Sequence, residues 1–121
     1  MILTLMICAG LMGAAGVALL AASAHAAPGA TLDTAGQVLL FHAAAVLALL
    51  GLAGQGWFSA RALTPFAAAG LVIGASLFAG DIAARAFLGH RLFPMAAPAG
   101  GVIMILSWLM VAVAGVVAAL R

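Results

Sequence analysis

Four long apolar runs, parted by short breaks of Pro, Gly, Thr and charged residues, take up nearly the whole chain. About 20 mostly apolar residues suffice for a helix to cross a bilayer. The runs meet that length over about Ile2 to Ala24, Thr34 to Trp57, Pro65 to Leu88 and Ala97 to Leu120. The breaks have the chemistry of helix ends. Pro28-Gly29 followed by Thr31, Asp33 and Thr34 predicts a turn and then an N-cap. Gly54-Gln55-Gly56 ends the second helix, and Thr64-Pro65 predicts a cap with Pro at the first helical position. Gly89-His90-Arg91 ends the third helix, and Pro94 and Pro98 flank the start of the fourth. Short connections make successive helices antiparallel neighbours. The expected fold is all-α: residues 1–121 as one membrane domain, an integral four-helix bundle.

Composition strengthens this reading. The 121 residues are 69% hydrophobic and 5% charged, where soluble domains carry about 25% charged residues. A soluble fold of this size has too little polar surface to cover so many apolar side chains, whereas lipid solvates them. There is no lysine and no glutamate. The charges are Arg61, Arg85, Arg91 and Arg121 against Asp33 and Asp81, a net +2. Four scattered arginines make no basic patch, so nucleic acid is not an expected partner. The lone Cys8 permits no internal disulfide and no cysteine-based metal site. Ala24-His25-Ala26 has the A-x-A form of a signal-peptide cleavage site, but no Lys or Arg precedes the apolar run, and the run exceeds the usual h-region, so a retained first helix is expected. Arg61 and Arg121 fall on the side of the N-terminus, and Arg91 on the other. The positive-inside rule then puts both termini in the cytoplasm, by a margin of one or two arginines.

Helices in lipid meet through small residues and close backbone approach. Helical spacing picks out Gly10, Ala14, Val17, Ala21 and His25 on the first helix. It picks out Gly70, Gly74, Leu77, Asp81, Arg85 and Leu88 on the third, and Gly100, Met104, Ser107, Val111 and Gly115 on the fourth. With Gly13, Gly16 and Gly101, these glycines are the packing candidates. An Ala/Gly-rich chain makes such stripes by chance, least convincingly so on the third helix, where both charges share the stripe. Ala9-Gly10-Leu11 and Ala69-Gly70-Leu71 hint at a duplicated hairpin, though low complexity makes this poor evidence.

A charge at membrane depth is costly unless paired or hydrated. Asp81 and Arg85, four residues apart, can meet on one helical face. Counted from the helix ends expected above, Asp81 lies roughly 10 Å and His42 roughly 12 Å below the same surface. Gln37 is level with Arg85, and His25 marks the same end of the first helix. His25, Gln37, His42, Asp81 and Arg85 therefore form one candidate polar cluster. A histidine beside a carboxylate can titrate near neutral pH, which suits proton handling or ligand binding. Alternatively the group is interhelical glue, with hydrogen bonds worth about 0.6 to 2 kcal/mol each. Glue is favoured, because the group sits near one surface and no second polar cluster continues it. Trp57 and Phe58 fit an interfacial aromatic anchor, and Trp108, near mid-membrane, reads as core or lipid-facing. The three histidines are far apart and the methionines show no ligating pattern, so no metal and no cofactor is expected. Without a nucleophile-base set, phosphate loop or paired carboxylates, no enzymatic activity is expected.

Four stretches resemble one family. Gly13-Ala-Ala-Gly16-Val-Ala-Leu through Ala24-His25, Gln37 through Phe41-His42-Ala43, Gly74-Ala-Ser-Leu77-Phe78-Ala79-Gly80-Asp81, and Pro98-Ala99-Gly100-Gly101 followed by Trp108 occur in order. They are similar to the small bacterial membrane proteins typified by YgdD, the domain-of-unknown-function family "four-two-three". Ala79, Ala97 and Ser107 stand where that family usually has Ser, Thr and Gly, which puts any chemistry at those positions in doubt. The resemblance implies four spanning helices in a bacterial inner membrane and no assigned activity. The expected role is an accessory or stabilising subunit of a membrane assembly, its partners being lipid, other membrane subunits or itself. The alternative is a small proton-linked carrier using His42, Asp81 and Arg85.

Overall fold

A computed structural model describes residues 1–25, 30–56 and 63–120. The Pro28-Gly29 turn, the Trp57-Phe58 anchor, and Arg61 and Arg121, on which the orientation rests, lie outside the described residues. The helices are α1 (Ile2–His25), α2 (Ala30–Gly54), α3 (Leu63–Leu88) and α4 (Ala96–Ala119). No strand occurs among the described residues. All four helices are long and apolar enough to cross a membrane, and the protein is a multi-pass, all-α membrane protein built as a four-helix bundle.

The helix ends follow local chemistry. α2 stops at Gly54, with Gln55 and Gly56 donating back to the Leu52 and Ala53 carbonyls and Gly56 at φ 74°. α3 stops before Gly89 at φ 75°, the left-handed residue that closes many helices. Two starts differ from expectation. α2 begins at Ala30, so Asp33 lies inside its first turn, where a carboxylate faces the positive end of the helix dipole. α3 begins at Leu63, which places Thr64 and Pro65 within the helix.

α1 packs on α2, α2 on α3 and α3 on α4, with a slighter contact between α1 and α3. Among the described residues the backbones of α1 and α4 do not approach each other. Two reciprocal glycine contacts set the tight pairs. A Cβ on Gly16 would lie 2.9 Å from the Gly36 carbonyl oxygen, and one on Gly36 would lie 2.8 Å from that of Gly16. On the other side, a Cβ on Gly74 would lie 2.8 Å from the Gly100 oxygen, and one on Gly100 2.6 Å from the Gly74 oxygen. The hydrogens standing in those positions point at the facing carbonyls, in the Cα–H···O arrangement of close helix pairs. Gly70 likewise leaves room for the Ser107 hydroxyl, which donates to the Ile103 carbonyl at 2.8 Å.

The stripe expected on α1 faces outward. Gly10, Ala14, Val17, Ala21 and His25 are exposed, and the buried face is Leu5, Ala9, Met12, Gly16 and Ser23. α1 is apolar all round, so hydropathy does not choose its inner face; the approach of Gly16 to Gly36 does. Gly10, Gly101 and Gly115 have open space where a Cβ would be, and Gly13 only grazes the Ala43 methyl at 4.0 Å. Gly36, which no stripe contained, is the true partner on α2.

Gly36→Ala and Gly74→Ala force backbone against backbone and should each cost about 1 to 3 kcal/mol. Gly10→Ala and Gly101→Ala should be neutral or gain up to about 1 kcal/mol, because alanine restricts the unfolded chain and favours helix. Reversible unfolding in mixed detergent micelles, followed by circular dichroism, measures both.

Candidate functional site

The intramembrane polar residues divide into two separate arrangements. In the first, α3 carries Asp81 fully buried, with a relative exposure of 0%. One turn later Arg85 folds back on it. The Arg85 Nε donates to Asp81 Oδ2 at 3.0 Å, and an Arg85 terminal nitrogen donates to the same oxygen. The other carboxylate oxygen accepts the Leu92 backbone N–H at 3.0 Å. Leu92 belongs to the connection between α3 and α4, and its side chain packs over Gly80, where a Cβ would meet Leu92 Cδ1 at 3.2 Å. Asp81 thus neutralises Arg85 with one oxygen and pins the connection with the other. The Arg85 side chain keeps 43% exposure and reaches outward, as long basic side chains near membrane surfaces do.

The second arrangement lies deeper. His42 Nδ1 is 2.7 Å from the Val38 carbonyl, and Trp108 Nε1 is 3.3 Å from His42 Nε2. Indole nitrogen only donates, so Nε2 accepts and Nδ1 carries the proton that it donates to Val38. The rings meet edge-on, with centroids 6.1 Å apart at 63°. Both ring nitrogens of His42 are therefore engaged.

The expected five-residue cluster does not form. Only Asp81 and Arg85 come together. Gln37 and His25 are exposed, and His42 bonds to Val38 and Trp108 instead. The cause is the early start of α2. From Ala30, His42 is roughly 18 Å along the helix, while Asp81 is roughly 10 Å from the end of α3 at Leu88. The two groups differ in depth by more than one helical turn. Trp108 is as far from the start of α4 at Ala96 as His42 is from the start of α2. Both helices leave the same surface, but the equal spacing shows only from these starts: counted from Thr34 and Ala97, the two residues lie 8 and 11 positions along, so the pairing was hidden in the sequence. The Leu92 N–H carried no signal either, because a backbone group is anonymous in a sequence. No group of three or more His, Cys, Asp or Glu side chains placed to hold a metal ion occurs among the described residues.

The profile of the family described as protein of unknown function (DUF423) matches residues 12–101, and the chain belongs to that family. The matched span holds both glycine contacts, the Asp81–Arg85 pair and His42, and ends before Trp108. No curated protein and no solved structure matches the chain.

Two predictions follow from these geometries. Arg85→Met strands the Asp81 carboxylate in an apolar site and should lower the thermal midpoint in micelles. Asp81→Asn/Arg85→Met, which keeps an oxygen for the Leu92 N–H, should recover part of that loss, because removing both members of a buried pair costs less than removing one. For the second arrangement, a double-mutant cycle of His42→Leu and Trp108→Phe should give a coupling of about 0.6 to 1.7 kcal/mol, the range of interhelical hydrogen bonds in lipid.

Proposed function

We propose that this member of the DUF423 family acts by association, as an accessory or stabilising subunit of a membrane protein assembly. The observation that supports it most is what the chain offers its surroundings. Its intramembrane charges are bound to each other and to Leu92, and its mid-membrane histidine is bound to Val38 and Trp108. Away from the end that carries His25, Gln37 and Arg85, what remains on view is mostly apolar helix surface, above all on α1 and α4. Large apolar side chains such as Leu3, Ile7 and Leu11 on α1, and Ile105, Leu109 and Val113 on α4, are exposed. The outward face of α1 interleaves them with Gly10, Ala14 and Ala21, and small residues admit a second helix closely.

A proton carrier needs polar groups that exchange partners and reach both surfaces. The separation in depth of His42 and Asp81 opposes that reading. So does the engagement of both His42 ring nitrogens, one with Val38 and one with Trp108. Association also agrees with the short connections, which leave little mass outside the membrane.

Chemical cross-linking in native membranes, followed by purification in mild detergent, tests the proposal. The expected product is a defined adduct with another membrane protein or a second copy, reduced by Gly10→Leu and Ala14→Leu. Recovery of monomer alone, with no adduct, would refute it.

A further inference from the structure

The connection between α3 and α4, residues 89–95, does not stand above the bundle. Gly100 packs against Gly74 and Phe78, so Ala96, four residues nearer the start of α4, is level with about Gly80. α3 runs on to Leu88, roughly 12 Å beyond that level. The chain therefore turns at Gly89, φ 75°, and comes back down along α3. Leu92 marks the depth it reaches, since its N–H donates to Asp81 and its side chain lies over Gly80. The segment is unlike a loop built for water. Every residue from Gly89 to Met95 is exposed, and Leu92, Phe93 and Met95 are large and apolar. Much of its backbone donor capacity is consumed within the protein or missing. The Leu92 N–H goes to Asp81, the Ala96 N–H to the Phe93 carbonyl at 3.3 Å and the Ala99 N–H to the Met95 carbonyl at 2.9 Å, while Pro94 and Pro98 have no N–H. Met95 holds the N-cap position of α4, where Ser, Thr, Asp or Asn ordinarily supplies an oxygen, and makes no side-chain cap. The polar side chains of the segment, His90 and Arg91, follow directly on the turn and so lie outermost.

We infer that this connection lies in the boundary between phospholipid headgroups and acyl chains, held at that depth by Asp81, with Phe93 and Met95 inserted among the chains and Arg91 at the level of the phosphates. Position selects the occupant. The last two turns of α3, which pass outside the connection, still expose Phe87 and Leu88, so lipid reaches beyond the level at which Leu92 is pinned. Irregular backbone near hydrocarbon is tolerated where its polar groups are satisfied, and the bonds of Leu92, Ala96 and Ala99 and the two prolines go far to meet that condition. A leaflet also matches the order of the side chains. The cation sits outermost, where phosphates are, and the apolar residues sit below it, where chains begin. The inference rests on the spans and these hydrogen bonds, and it is independent of whether a partner subunit is bound.

The test uses the full chain in phosphatidylethanolamine–phosphatidylglycerol vesicles, with Cys8→Ala and a nitroxide on a single cysteine introduced as Phe93→Cys or Met95→Cys. Collisions with oxygen, which concentrates in hydrocarbon, are compared with collisions with a water-soluble nickel chelate. Both labels should favour oxygen, as a label at the exposed mid-helix Val102→Cys does, whereas a label at His90→Cys should favour the chelate. If the two deeper labels meet the chelate as freely as the one at His90→Cys, the inference is overturned, whether water or a missing protein partner is the natural cover. Asp81→Leu/Arg85→Met removes the acceptor of the Leu92 N–H without leaving a lone charge. It should shift both labels toward the chelate while circular dichroism shows the helices intact. Labels that do not move in that folded variant also overturn the inference. Were the variant to lose its helices, the labels in the otherwise native chain decide alone.

Discussion

Between two helices in hydrocarbon there is no hydrophobic drive, because lipid is as apolar as the side chains it would be exchanged for. Attraction then depends on how near two backbones come, and the near approaches in this protein are set by four glycines. Gly16 faces Gly36, and Gly74 faces Gly100, each hydrogen aimed at the opposite carbonyl. Each contact welds one hairpin, α1 to α2 and α3 to α4. Nothing comparable joins α1 to α3, so they meet through side chains near Leu5 and Leu71 and separate elsewhere. The open groove between α1 and α3, lined by Leu11, Ala15, Ser76 and Gly80 with Leu39 of α2 at its floor, is thus a consequence of where the glycines are, not a separate feature.

The same solvent dictates the polar chemistry. A carboxylate at membrane depth must be neutralised, and Arg85 one turn along the same helix does so without help from another element. The spare oxygen then stabilises the structure, because an unpaired backbone N–H near hydrocarbon is costly and Leu92 has one. His42 solves its own problem with a carbonyl four residues back and an indole from α4. That bond brings α4 to α2, whose backbones are otherwise apart. In both arrangements the buried acceptors are occupied, the two Asp81 oxygens by Arg85 and Leu92 and the His42 Nε2 by Trp108, which suits fixed architecture better than proton movement.

The apolar runs and their breaks made the four helices legible, since length and composition are what a bilayer constrains most. The Asp81–Arg85 pair was legible too, because four-residue spacing needs no tertiary knowledge. Facing directions were not. On α1 every side is apolar, so the stripe through Gly10 and Ala14 read as well as the one through Ala9 and Gly16, and the structure takes the latter. The grouping of His42 with Asp81 failed through a small displacement of one helix start. Placing the start of α2 at Thr34 instead of Ala30 raised His42 by about one turn and made two separate sites look like one.

Gly80 ties the ion pair to the groove. It lines the groove on one side, and Leu92 lies against it on the other. Leu92 is held there by its own N–H on Asp81, and Asp81 is held by Arg85. A methyl at Gly80 would press on Leu92, and an unanchored Leu92 would leave this stretch of α3 uncovered. The residues that look most chemical in the sequence therefore serve an apolar feature. They fix the connection that finishes the wall of that groove. On this view the charges are retained for shape. The carboxylate needs an arginine because it is buried, and it is buried because the backbone of the connection needs an acceptor there.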